Sequence, residues 1–263
     1  MKGAVIAVCL GSGGRHGYAH IGVIRALQRR GFVPDLIVGT SAGSIAGALW
    51  AAGHDADAIE RVADLSGQFS RNRFRLPVLG IGTLDGLREL VDRHIGSRDM
   101  ESLPIRFAAQ ATDLDTGAPV ILASGPVGRA VVASASVPLR YEPVLIDGRR
   151  LVDGALSAPV PVDAARSLGA DVVIAFDVAY RPYEEPVDGF SDVAFQTYHI
   201  MVNRLIEEQI RRADIAIRLD VHQFMDNEED MQATMLAGEQ AVHHYWPEIS
   251  RLLTDQESNN LQP

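Results

Sequence analysis

Ser41 stands in Gly39-Thr40-Ser41-Ala42-Gly43, a G-x-S-x-G pattern that follows the apolar run Leu36-Ile37-Val38 and opens a stretch of helical character. A serine on a tight turn from strand to helix presents its hydroxyl outward, and small neighbours let the backbone take a shape that side chains would obstruct. The helix start adds unpaired N–H groups and a positive dipole end where negative charge would develop. Ser41 is therefore the candidate nucleophile; the plainer alternative is a helix-capping serine in a glycine-rich turn.

A second glycine-rich element, Gly11-Ser12-Gly13-Gly14-Arg15-His16-Gly17, lies between the first predicted strand and its helix. In a parallel sheet it falls at the same carboxyl end as Ser41. A dinucleotide fold would use such a loop for pyrophosphate and would need an acid at the end of the second strand. Asp35 comes before that strand and Gly39 follows Val38, so the acid is missing. The competing reading is an oxyanion hole built from the N–H groups of Gly13 and Gly14, and the neighbouring serine favours it. A bare structural turn is the third possibility.

A nucleophilic serine needs a proton acceptor. The late histidines His199, His222, His243 and His244 fall on predicted helices or in a polar stretch, where solvated or capping roles are expected. Asp153, in Val152-Asp153-Gly154-Ala155, follows a short apolar segment and is better placed, although an Asp-Gly pair alone more often marks a turn. Asp113 and Asp115 suggest a metal pair on paper, but turn and hydrogen-bond roles suit them better. The single cysteine, Cys9, can form no intrachain disulfide and reads as a small core residue, and no paired ligand spacing of a zinc site occurs. No cofactor or metal is expected.

The elements that must position these groups follow from periodicity. Residues 4–10, 36–38, 105–111 and 172–177 are short apolar runs without alternation, as strands buried on both faces require. Helices are predicted from Ile21, Val23, Ile24 and Leu27 up to Gly31, then over 44–52, 55–65, 84–95, 195–213 and 228–253, the last interrupted near Pro247. The 195–213 helix carries Tyr198, Val202, Leu205, Ile206 and Ile210 on one side and charges on the other. Strand, helix, strand at the start gives a βαβ unit. The expected fold is α/β: one domain of three layers over 1–254, with a mainly parallel central sheet flanked by helices, and a polar, frayed tail over 255–263.

Composition bounds the partners. With 47% hydrophobic residues the 263-residue chain is expected to fold, and a net charge of −10 supplies no footprint for nucleic acid. Lys2 before an apolar stretch imitates an export signal, but Val8 before Cys9 is a poor cleavage residue and glycines follow at once, so a cytoplasmic protein is expected. The eighteen uncharged residues 36–53 reach spanning length, yet their glycines and serines argue for a strand turning into a buried helix.

Four motifs in this order resemble the patatin-like phospholipases, most closely the bacterial members related to neuropathy target esterase. They are the glycine loop running into His20-Ile21-Gly22-Val23, the 39–43 elbow, Ala133-Ser134-Ala135-Ser136-Val137-Pro138 leading to Pro143-Val144, and Asp153-Gly154-Ala155. The resemblance covers about residues 1–177. It implies a serine–aspartate pair with no histidine required: Ser41 as nucleophile, Asp153 as base, and Gly13 and Gly14 among the oxyanion donors. The family loop usually reads G-x-G-x-R-G; aligned on Gly17, Ser12 replaces its first glycine and His16 its arginine, with Arg15 one place early. Arg15 is the candidate substrate contact.

The implied activity is hydrolysis of a lipid or acyl ester through an acyl-enzyme, with peripheral membrane contact; the alternative is a patatin-like module without catalysis. Arg71, Arg73 and Arg75 alternate with Asn72, Phe74 and Leu76, so 69–82 is a candidate lid or interface loop. The stretch 180–189 reads as a second loop.

Overall fold

The computed structural model describes residues 3–69, 83–179, 187–219, 221 and 228–259. The four apolar runs become neighbouring strands: β1 (Ile6–Leu10), β2 (Leu36–Thr40), β3 (Arg106–Asp113) and, later in the chain, β7 (Val172–Asp177). Four further strands are β4 (Pro119–Leu122), β5 (Val144–Ile146), β6 (Arg149–Asp153) and β8 (Ile215–Arg218). Together the described strands form one sheet in the order β5-β6-β3-β2-β1-β7-β8, with β4 on β3. The centre is parallel, from β3 through β2, β1 and β7 to β8, while β4, β5 and β6 add antiparallel pairs at one side.

Helices cover both faces. On one lie α1 (Tyr18–Gln28), α2 (Ala42–Ala51), α3 (Ala56–Phe69), α4 (Asp85–Ile95), α5 (Val127–Ala135) and α8 (Glu228–Asn259); on the other lie α6 (Val162–Ser167) and α7 (Phe190–Gln209). The period of two along each strand sorts the core between them. Val8 and Leu10 of β1 pack with Ile24 and Leu27, whereas Ala7 and Cys9 pack with Val162 and Ile206. Cys9 is a core residue, as expected, and burial pushes its thiol pKa up. The uncharged 36–53 stretch resolves into β2, a turn and α2, and no described helix is long and apolar enough to cross a membrane.

Several boundaries correct the sequence reading. The predicted 195–213 helix begins at Phe190, because the Asp192 carboxylate accepts the N–H groups of Asp188 and Gly189 and caps the start. It ends at Gln209, and a single 3₁₀ turn follows over Ile210–Arg212. Pro247 does not interrupt α8. Buried Val242 and Ile249 hold the helix on either side of it, and Arg30 lies 5.1 Å over the neighbouring Trp246 ring. Helix continues to Asn259 where a frayed tail was expected from residue 255. The 70–82 and 180–186 parts of the two expected loops, with Arg71, Arg73 and Arg75, lie outside the described residues.

Candidate active site

Ser41 links β2 to α2 with φ 54° and ψ −119°, a left-handed conformation that a residue with a side chain adopts only under constraint. The constraint is packing. A Cβ at Gly39 would come within 2.5 Å of the Gly43 carbonyl oxygen, and one at Gly43 would collide with the Leu10 carbonyl of β1. Both glycines of the pattern are therefore required by close backbone approach, and the serine between them is held up at the end of the sheet.

Hydrogen bonds from α5, β6 and α2 hold the turn. Ser41 N–H donates to Ser134 Oγ at 2.9 Å, and Ser134 donates in turn to the Gln110 carbonyl at 2.6 Å. The Ser41 carbonyl accepts from Ser44 N–H and from the Ser44 hydroxyl. Its own hydroxyl donates to Asp153 Oδ2 at 2.6 Å, across 112 residues of sequence. The two residues singled out from the sequence thus meet.

Asp153 ends β6 and is fully buried. Its Oδ1 accepts Ala155 N–H at 2.8 Å, its N–H donates to the Ser136 carbonyl at 2.9 Å, and its carbonyl accepts the Thr112 hydroxyl at 2.9 Å. Burial raises its pKa from 3.8 to about 6, against the opposing pull of the Ser41 and Ala155 hydrogen bonds. A carboxylate so tuned is a better base than a solvated one and is still ionised at neutral pH. The end of α5 thus serves both residues, Ser134 holding the serine and Ser136 the aspartate.

The glycine loop reaches the same place. Gly11 N–H donates to Phe176 O, Ser12 N–H to Pro159 O, and the buried His20 donates from Nε2 to the Gly11 carbonyl at 2.8 Å. Burial drops the His20 pKa to about 4, so the imidazole is neutral and this donor is fixed. A Cβ at Gly17 would lie 2.5 Å from the Ala42 Cβ, so the loop rests directly on the elbow. Neither the Gly13 nor the Gly14 N–H meets an acceptor among the described residues. Arg15 is exposed on the loop's 3₁₀ turn, and His16 is buried.

One neighbour overturns an expectation. His199 is not a solvated helix residue: it is half-buried on α7, and burial together with the charges of His16 and Arg140 lowers its pKa to about 4. Beside it, Tyr198 feels the charge of Asp153, and burial is the main cause of its raised pKa. Neither carried a motif. Of the other late histidines, His243 pairs with Arg30, His244 packs on Tyr245, and His222 lies outside the described residues. Asp113 accepts the N–H groups of Asp115 and Thr116, and Asp115 pairs with Arg150, so both serve the turn.

A cavity of about 90 Å³, partly open to solvent, begins at Gly14 and Ala42 and runs between helices lined by Tyr18, Ile45, Leu49 and Val91. Its walls are apolar.

Residues 8–166 match the family model described as patatin-like phospholipase. An uncharacterized NTE family protein of Mycobacterium tuberculosis is 38% identical over 173 residues, which are 65% of this chain and 48% of that protein. The lysophospholipase nte1 of Aspergillus fumigatus is 35% identical over 205 residues, 73% of this chain and 13% of the relative. The chain thus spans about half or less of the length of these relatives. Among solved structures, VipD from Legionella pneumophila superposes with a TM-score of 0.55 at 11% identity, covering 93% of this chain and 66% of that one. The ExoU–SpcU complex of Pseudomonas aeruginosa gives 0.53 at 15% identity, covering 93% and 51%. The likeness to these structures concerns the fold alone; the match over residues 8–166 is what assigns the chain, which belongs to the patatin-like phospholipase family.

Proposed function

We propose that this chain hydrolyses the acyl ester of a lipid through an acyl-enzyme on Ser41, with Asp153 as the base. The observation that carries the reading is the 2.6 Å hydrogen bond from the Oγ of Ser41, itself on a strained turn, to the buried Asp153 carboxylate. Asp153 takes the serine proton as Oγ attacks the carbonyl carbon. The oxyanion so formed is held by the N–H groups of Gly13 and Gly14, each such donor being worth about 2.7–4 kcal/mol of barrier. Collapse breaks the ester bond, the leaving alcohol receives the proton from Asp153, and the acyl group stays on Ser41. Water, losing its proton to Asp153, then releases the fatty acid and restores the serine.

The apolar cavity beginning beside Ala42 suits the acyl chain of a lipid better than a small polar ester. The relative named lysophospholipase nte1 supports a phospholipid or lysophospholipid as the substrate class. Arg15, exposed at the rim, is a candidate contact for the headgroup. We further propose a cytoplasmic enzyme that meets its lipid peripherally.

The test is hydrolysis of a short acyl ester by the purified chain. Ser41→Ala and Asp153→Asn are each expected to remove it while leaving the protein folded by circular dichroism. Turnover that survives both changes contradicts the dyad, and no turnover or acylation by the unaltered chain favours a module without catalysis.

A further inference from the structure

The first three turns of α7 are apolar on the wrong side. Tyr198, Val202 and Ile206 face inward, as an amphipathic helix requires, but the outward stripe at three- and four-residue spacing runs Phe190, Val193, Thr197 and then Ile200 and Met201, with Thr197 its one polar member, before it turns to Arg204 and Glu208. Phe190 is 89% exposed and Val193 54%. An exposed phenylalanine at a helix start gains nothing from water and contributes no core.

A second segment joins this surface. Leu139, 66% exposed, has φ 68°, so a branched residue is held in a left-handed conformation with its side chain in solvent. Next to it, the Arg140 guanidinium lies 4.8 Å over the Phe195 ring and forms no ion pair among the described residues. Both segments border the site. The 137–141 turn follows Ser136, which holds Asp153, and α7 carries Tyr198 within reach of the Asp153 charge.

From this juxtaposition we infer that Leu139, Arg140, Phe190 and Val193 form a docking rim for the surface of a phospholipid bilayer or micelle, the apolar side chains entering the acyl region and Arg140 meeting a headgroup phosphate. The inference rests on the proposed lipid hydrolysis in one respect: an occupant that sealed this rim, such as a second copy of the chain, would cut Ser41 off from its substrate, whereas a lipid phase delivers it. Charge fits the same occupant. Among the described residues Arg140 forms no ion pair and keeps its guanidinium for phosphate; the exposed Glu142 stands two residues away, and Asp192 is engaged in capping α7. The net charge of −10 opposes strongly anionic membranes, so a zwitterionic surface is the better match. Exposed apolar side chains at a helix start, flanked by a cation, suit the depth of the headgroup boundary.

Flotation with phosphatidylcholine vesicles, tryptophan emission and two activity assays test the rim together. The full chain is expected to float with vesicles, and the tryptophan introduced by Phe190→Trp to shift its emission to the blue on vesicle addition. Phe190→Ser combined with Val193→Ser is expected to weaken flotation at least tenfold and slow hydrolysis of vesicle lipid equally, with hydrolysis of a soluble short-chain ester unchanged. Vesicle binding that the double change leaves intact, or no binding by the unaltered chain, overturns the rim. So does a concentration-dependent dimer that the same double change dissociates. A blue shift in a chain that hydrolyses neither substrate sustains the rim and defeats the proposed function instead.

Discussion

The floor of the site and its rim are built on opposite terms. At the floor, Ser41 and Asp153 are buried, and Ser134, Ser136, Thr112 and Ala155 satisfy the atoms around them. At the rim, Leu139, Phe190 and Val193 stand in solvent, and Arg140 has only the face of an aromatic ring beneath it. A fully paired polar cluster in a low-dielectric interior fixes one geometry, because each lost partner leaves a costly unmet group. Exposed apolar groups fix none. The difference separates a region that must be rigid before substrate arrives from one that gains its contacts only when a second phase covers it.

The largest expected effect is at the floor. Gly43→Ala drives a methyl into the Leu10 carbonyl and is expected to cost about 3 kcal/mol of stability and to displace Ser41, which urea unfolding and ester hydrolysis report together. Asp153→Asn acts with the opposite sign on stability. Folding raises the Asp153 pKa from 3.8 to about 6, so the native state binds this proton more tightly and stability falls as pH rises between those values. At pH 7 the whole cost is present, and replacing the carboxyl with an amide is expected to recover about 3 kcal/mol, a gain that disappears below pH 4. Activity is lost in the same variant. Paired denaturation curves at pH 7 and pH 3.5 check both halves of the statement.

Ser134→Ala sharpens the contrast at lower cost. It strips the acceptor from the buried Ser41 N–H and is expected to lose about 2 kcal/mol, with a fall in kcat larger than any change in KM. In the unaltered chain, kcat/KM is expected to rise with pH and level off above about pH 6 as Asp153 ionises. The smallest effect belongs to the rim. Leu139→Gly relieves the left-handed strain and is expected to raise stability by about 1 kcal/mol while weakening vesicle binding.

What the sequence made legible follows the same division. β1, β2, β3 and β7 are buried on both faces, so their apolar runs were visible without knowing their neighbours. Ser41 and Asp153 stand beside Gly39, Gly43 and Gly154, which like Gly13 lie too close to neighbouring atoms to carry a side chain, and such demands leave motifs. By contrast β5 and β6 are short and carry exposed Arg149 and Arg150, which hides the strand pattern. α5 was missed because its Ala and Val residues carry no helical stripe of large side chains, although Ser134 and Ser136 lay in a quoted motif whose use only the fold reveals. Tyr198 and His199 come to the site by tertiary packing of α7, and a helix face in sequence names no partner.

The most direct test of the central claim is mass spectrometry of the intact chain after reaction with a fluorophosphonate probe, followed by peptide mapping. The account predicts one adduct, on the peptide containing Ser41, absent in Ser41→Ala and formed at least a hundredfold more slowly in Asp153→Asn. An adduct on another residue, or labelling of Ser41 at an unchanged rate without the Asp153 carboxylate, contradicts it.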